Sequence, residues 1–233
     1  MNARAGGGMT LLELMVVIAI AGILATMAVV ELFYGTGRAR LNNATWEIAA
    51  LSSAAQMRAA GRGFPNYVVF YESVGETGVL HFERDERAGI VDPAWSAVDP
   101  TNPGTFAAGG VPVRVHERIR FTGAWGRGGM HFESLAGFSL AARPPYWAIP
   151  TMPAGASGLM AACSFCQAGA NGSVIGAIRY APDGTASVVT GPEAARLAGG
   201  AVALATDRPN EAGHPRLIAF SVPTGAVNVI YRD

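Results

Sequence analysis

The chain has 233 residues, seventeen basic and seventeen acidic, so its formal net charge is zero, and half of its residues are hydrophobic against 15% charged. Charge balance of this kind supplies no broad field toward nucleic acid or anionic lipid, which directs the search for partners to other proteins. The apolar content excludes a disordered chain even with 30 glycines and 14 prolines, and a turn-rich β domain accommodates that glycine best.

Gly8-Met9-Thr10-Leu11-Leu12-Glu13 opens an unbroken apolar run from Leu14 to Val30. Counted from Leu11, the segment rises about 30 Å as a helix, the thickness of a bilayer's hydrocarbon core. Glu13 is the exception within it, since a carboxylate inside an apolar span costs about 3 kcal/mol and calls for a cation or a functional role. Arg4 is the one charge on the leader side, so the amino terminus is expected in the cytoplasm and the bulk of the chain beyond the inner membrane. An ordinary secretory signal would place a cationic stretch directly before the apolar core. Here three glycines intervene and an acid follows, although Ala25 to Ala28 would suit a conventional cleavage site.

Gly8 through Ala25, read as Gly8-Met9-Thr10-Leu11-Leu12-Glu13-Leu14-Met15-Val16-Val17-Ile18-Ala19-Ile20-Ala21-Gly22-Ile23-Leu24-Ala25, resembles the class III signal of type IV pilins and type II secretion pseudopilins. The resemblance implies that a prepilin peptidase cuts after Gly8 and methylates the new terminus at Met9, which stands where most members carry Phe. It further implies that Glu13 neutralises the terminal ammonium of a neighbouring subunit as helices pack into a filament. Its divisions are a leader at residues 1–8, a transmembrane half-helix at 9–30, an amphipathic half at 31–60 and a β-rich periplasmic domain at 61–233.

Beyond the span, Leu41, Ala44, Ile48, Leu51 and Ala55 recur at alternating three- and four-residue steps on one helix face, which is expected to pack on the globular domain. Gly35 and Gly37 predict a bend or melted turn, while Gly61, Gly63 and Pro65 end the helix, giving it a length from Thr10 to Ala60. Strand-like runs follow at Tyr67 to Glu72, Val79 to Arg84, Val111 to Phe121, Val174 to Tyr180, Ala201 to Ala205, Leu217 to Val222 and Val227 to Arg232. Pro182-Asp183-Gly184 and Pro223-Thr224-Gly225 read as hairpin turns. In the last hairpin, Ile218, Phe220 and Val222, and then Val227, Val229 and Tyr231, alternate as in a sheet with one buried side. Asp92 to Gly110 and Arg143 to Gly158 lack periodicity and read as surface loops, with Trp95, Trp125 and Trp147 as local packing anchors. The fold class is α+β: one long helix packed on a mostly antiparallel sheet domain.

Chemical signals are sparse. Cys163 and Cys166 are spaced for a small local disulfide in an oxidising periplasm, and His81, His116, His131 and His214 are scattered singly, which leaves no metal site. Gly155-Ala156-Ser157-Gly158 and Gly137-Phe138-Ser139-Leu140-Ala141 only approximate a nucleophile elbow. The clusters Gly6 to Gly8 and Gly126 to Gly129 lack the lysine of a phosphate loop, and Asp183 alone is far short of a calcium site. No catalytic residue and no cofactor is implied.

Ile178-Arg179-Tyr180-Ala181-Pro182-Asp183-Gly184 and Phe220-Ser221-Val222-Pro223-Thr224-Gly225, together with the helix and the β domain, resemble the GspH/FimT family of minor pseudopilins. That resemblance implies a low-copy filament subunit of a type II secretion pseudopilus or a type IV pilus, at or near the tip. Its partners would be a prepilin peptidase, other pilins or pseudopilins and the inner-membrane assembly platform. The alternatives are a DNA-binding minor pilin for natural transformation and a membrane-anchored periplasmic enzyme. Gly225 is followed by Ala226, Val227 and Asn228 rather than by the arginine-rich motif of DNA-binding members, so nucleic acid is not an expected partner.

Overall fold

A computed structural model describes residues 10–85, 93–121, 129–138, 156–191, 199–206 and 215–231. Helix α1 runs without interruption over Leu11–Arg62, 52 residues, and Gly63 closes it at φ 72° with its N–H on the Ala59 carbonyl at 3.0 Å. The left-handed cap needs a residue without Cβ, and glycine supplies it. The break expected at Gly35 and Gly37 does not occur. Each glycine costs about 1 kcal/mol, but propagation from both sides continues the ladder once the helix is nucleated.

The strands form two antiparallel sheets. In the first, β1 (Asn66–Ser73), β2 (Glu76–Arg84) and β3 (Val113–Arg120) meander, β6 (Val174–Tyr180) pairs the other edge of β1, and β5 (Gln167–Ala168) and β7 (Ala186–Val188) both line the far edge of β6. In the second, β8 (Gly199–Thr206) lies between β4 (Met130–Phe132) and β9 (Arg216–Ser221), and β10 (Val227–Tyr231) completes the edge. Short helix α2 (Gly158–Ala162) precedes β5. The long α1 followed by antiparallel sheet is the α+β layout expected from the sequence, and each of the seven strand-like runs overlaps a strand, with ends that differ at Val111, Pro112, Phe121 and Val222 and with Arg232 outside the described residues.

The apolar stripe of α1 makes one wall of the main core. Leu41, Ala44, Ile48, Leu51, Ala55 and Ala59 are buried against Val68, Phe70 and Val79 of the first sheet and Val202, Leu204, Ile218 and Phe220 of the second. Phe70 meets Phe165 and Phe220 edge-on, with centroids 6.0 and 5.6 Å apart, a favoured geometry for aromatic pairs. Gln56 of α1 adds a polar fixing point, donating from Nε2 to the Gly184 carbonyl at 2.8 Å and the Thr224 carbonyl at 2.9 Å. Both hairpin turns singled out in the sequence are therefore tied to one helical side chain.

The stretch expected as an open surface loop at 92–110 has a packing role. Its described part forms 3-10 turns at Trp95–Ala97 and Pro103–Gly110. Trp95, Val98 and Phe106 cover Tyr67, Val69, Tyr71, Leu80 and Phe82 on the outer face of the first sheet, making a second core. This explains why Tyr67 through Tyr71 are all buried: a strand covered on both faces reads as a continuous apolar run, not as an alternation. Trp95 is a packing anchor here, its ring 5.8 Å from that of Tyr67. Trp125, Trp147 and most of the 143–158 stretch lie outside the described residues.

Candidate functional site

The start of α1 is built around one carboxylate. Thr10 is the N-cap, and its hydroxyl accepts the Glu13 backbone N–H at 3.3 Å while Glu13 Oε2 accepts the Thr10 N–H and Oγ1–H, each at 3.0 Å. This reciprocal capping box satisfies donors that the first turn otherwise leaves unpaired. It also fixes the Glu13 side chain at the head of the helix, with both Thr10 contacts on a single oxygen. Thr10 is a contributor that sequence reasoning missed, although Thr-x-x-Glu before an apolar run is the readable signal for it. Gly8 and Met9, the proposed cleavage and methylation positions, lie outside the described residues.

From this cap, Leu11–Val29 forms a 19-residue stretch long and apolar enough to cross a membrane, and none of it is buried by the rest of the chain. Leu11, Leu12, Met15 and Ile18 project freely, each more than half exposed. Exposed apolar surface on this scale is costly in water, so it calls for lipid or for other helices. This is the one such helix among the described residues, and it is consistent with a single-pass membrane anchor.

The two cysteines lie far from that segment. Cys163 and Cys166 are joined, S–S 2.02 Å with Cα atoms 5.5 Å apart, and both are buried in the main core. Their turn inserts Phe165 between the sheets and is pinned on each side. Ser164 exchanges hydrogen bonds with Ala201 of β8 at 3.0 and 2.9 Å, and Thr190, beyond β7, donates to the Phe165 carbonyl at 2.9 Å. The crosslink is thus a structural joint and not an accessible redox pair.

Polar chemistry elsewhere gathers in two clusters. On the outer face of the first sheet, the Tyr71 hydroxyl donates to Glu76, which also receives Arg118 at 3.0 Å and Arg120 at 3.1 Å. Burial pushes the Glu76 carboxyl up, but hydrogen bonds from Tyr71 and Arg120 and the charges of both arginines outweigh it and hold the group below its usual value. Burial also raises the Tyr71 phenol well above its ordinary value. Beneath the last turns of α1, His81 Nε2 meets Asn66 Oδ1 at 2.8 Å, and its ring centroid lies 5.0 Å from that of His116. Burial, then the charges of His116 and Arg58, hold His81 down at about 4. His131 pairs with Glu133 at 3.2 Å and His214 lies outside the described residues. Among the described residues, no three His, Cys, Asp or Glu side chains gather where a metal ion would sit. Ser157 is the N-cap of α2, and Asp183 accepts the Thr185 N–H and hydroxyl within its own turn at 2.9 and 2.6 Å. Asp183 thus has a local structural occupation, whereas the Ser157 side chain makes no capping hydrogen bond.

The family model for the prokaryotic N-terminal methylation motif matches residues 4–29. No curated protein and no solved structure matches the chain. The matched stretch contains Gly8, Met9, Thr10 and Glu13 and ends with the apolar span. Motif, N-terminal apolar helix and α+β layout together support a type IV pilin-like protein, and the motif suggests a structural role. The motif implies processing by a prepilin peptidase and assembly with other pilins.

Proposed function

We propose that the protein is a minor pilin or pseudopilin, a subunit that enters a type II secretion pseudopilus or a type IV pilus through α1, at or near the tip, with its β-rich domain on the periplasmic side of the inner membrane. The observation that carries this reading is the methylation motif over residues 4–29 set at the head of a 52-residue helix whose first nineteen residues have no partner within the chain. Residues 1–8 are the leader, 9–30 the transmembrane half-helix, 31–60 the amphipathic half and 61–233 the globular domain. Cleavage after Gly8 places an ammonium on Met9, one residue before the N-cap, and Glu13 answers the equivalent ammonium of an adjacent subunit. In low dielectric the pair attracts strongly while each charge alone is penalised, so pairing favours one axial register between helices. The closing segments around Gly184 and Gly225 support the GspH/FimT family as the branch concerned.

Two measurements test it. Intact mass of the membrane-extracted protein is expected to show loss of residues 1–8 and gain of one methyl group; a mature species retaining the leader, or starting near Ala28, overturns the assignment. Glu13→Leu is expected to insert and fold normally, because the costly carboxylate is removed from lipid, yet to crosslink less to partner pilins at matched expression. Undiminished crosslinking would leave the apolar helix faces, not Glu13, as the assembly determinant.

A further inference from the structure

At the end of α1 farthest from the apolar span, three arginines gather around the Glu83–His116 pair. Arg58 and Arg62, one turn apart on the last turns of the helix, overlie the ends of β2 and β3. Arg62 reaches Glu83 Oε2 at 3.4 Å, His116 approaches the same oxygen at 3.5 Å, and Arg114 stands directly across from Glu83 in the strand register. Burial, and then the charges of Arg58 and Arg114, lower the proton affinity of His116 against the opposing pull of Glu83. Arg62 and Arg114 thus face the Glu83 carboxylate, and Arg58 and Arg114 face His116. Of the other acids on these strands, Glu117 is exposed on β3 and stands across from His81, and Glu76 at the far end of β2 is paired with Arg118 and Arg120.

Arg58, Arg62 and Arg114 are all exposed, and among the described residues neither Arg58 nor Arg114 is in an ion pair. Glu83 and His116, by contrast, are buried side chains, 9% and 10% exposed, and their mutual separation is beyond a good hydrogen bond. The pole is therefore a shelf of guanidinium groups over a polar floor. Met57, next to Arg58 on the helix and 70% exposed, adds an apolar side chain beside it.

We propose that Arg58, Arg62 and Arg114 form a docking surface for an acidic, partly apolar segment of a partner protein. Guanidinium groups bind carboxylates in paired, planar geometry and are enriched in protein interfaces together with methionine. Lipid is not the ligand, because Arg58 lies about 44 Å along the helix from Val29, far beyond any headgroup layer. A nucleic acid is disfavoured by the absence of net positive charge on the chain, since phosphate binding is driven by many released counterions. The surface lies where the end of α1 meets β2 and β3, far from the apolar span, so it stands or falls independently of how the N-terminal segment assembles.

The test uses the full-length protein in nanodiscs and three fluorescent probes: a peptide of repeating Glu-Glu-Leu, the same peptide with Lys in place of Glu, and a short DNA duplex. Wild-type protein is expected to bind the acidic peptide, more tightly at low salt, and neither other probe comparably. Arg58→Ala combined with Arg114→Ala leaves the Arg62–Glu83 pair in place and is expected to weaken peptide binding about tenfold, or about 1.4 kcal/mol. Arg114→Glu alone, at an exposed position, is expected to change binding in the same direction, so a folding defect in the double variant cannot conceal the result. No binding of the acidic peptide, equal binding by the variants, equal binding of the Lys peptide, or preferential binding of duplex DNA would each overturn the proposal.

Discussion

His81 places a titratable group where charge is least tolerated. It is 1% exposed, beside His116 and beneath Arg58, and its folded value of about 4 lies below the roughly 6.5 of a free imidazole. The unfolded chain therefore binds the proton first, so stability is fully present above about pH 6.5 and is lost as pH falls toward 4. The contribution is on the order of 3 kcal/mol across that window. His81→Gln keeps a donor toward Asn66 without the charge and is expected to flatten the fall in Tm between pH 6.5 and 4; an unchanged slope would locate the acid sensitivity elsewhere. Residue-scale features of this kind were poorly legible in the sequence. The histidines read as scattered because register between β2 and β3, not chain spacing, brings His81 and His116 together. Glu13 was legible as an anomaly, whereas its Thr10 partner was not, because the capping pattern lies inside a stretch dominated by a stronger signal.

At the scale of elements, α1 and the strands were readable because long periodic segments carry redundant information. The stripe Leu41, Ala44, Ile48, Leu51 and Ala55 is the buried face; both turns are hairpins, the last joining the two expected strands and the first joining β6 to β7, a short strand not among the expected runs. What composition could not reveal is that these turns converge on Gln56. Gln56→Ala removes two hydrogen bonds to separate turns, and at about 1 kcal/mol each the variant is expected to lose about 2 kcal/mol in denaturant unfolding. A loss no larger than for an exposed neighbour such as Ser53→Ala would show the clamp to be idle. The stretch 93–110 was misjudged for a definable reason: its prolines and glycines suppress periodicity, while Trp95, Val98 and Phe106 contribute apolar area one residue at a time. Phe106→Ala is expected to cost about 3–5 kcal/mol, as for other buried aromatics, and to raise dye binding to exposed apolar surface.

For the whole molecule, antiparallel sheet was expected but its division into two sheets was not, since pairings such as β1 with β6 and β4 with β8 join segments distant in sequence. The seam between them depends on the turn at Cys163–Cys166. A Cβ on Gly176 would collide with both sulfurs and the Phe165 ring, so Gly176→Ala is expected to destabilise by about 1–3 kcal/mol through overpacking. The crosslink itself closes a loop too short to restrict much of the unfolded chain, which places its entropic effect well below the roughly 3 kcal/mol of a 15-residue loop. Thiol labelling of native, unreduced protein is expected to detect neither cysteine; labelling of both would show the turn to be open.

Helix α1 also acts as a strut. The residues Leu41 to Ala59 that wall the main core belong to the same uninterrupted helix as the apolar span. Any pull on its amino-terminal end runs along the axis and loads the whole contact in shear, so that six buried side chains and the Gln56 tether must yield together. A load on a strand edge would instead be met one pair at a time, as a zipper is. A subunit drawn out of a bilayer by its first turn is thus gripped in its strongest direction, and the folded domain travels with the helix.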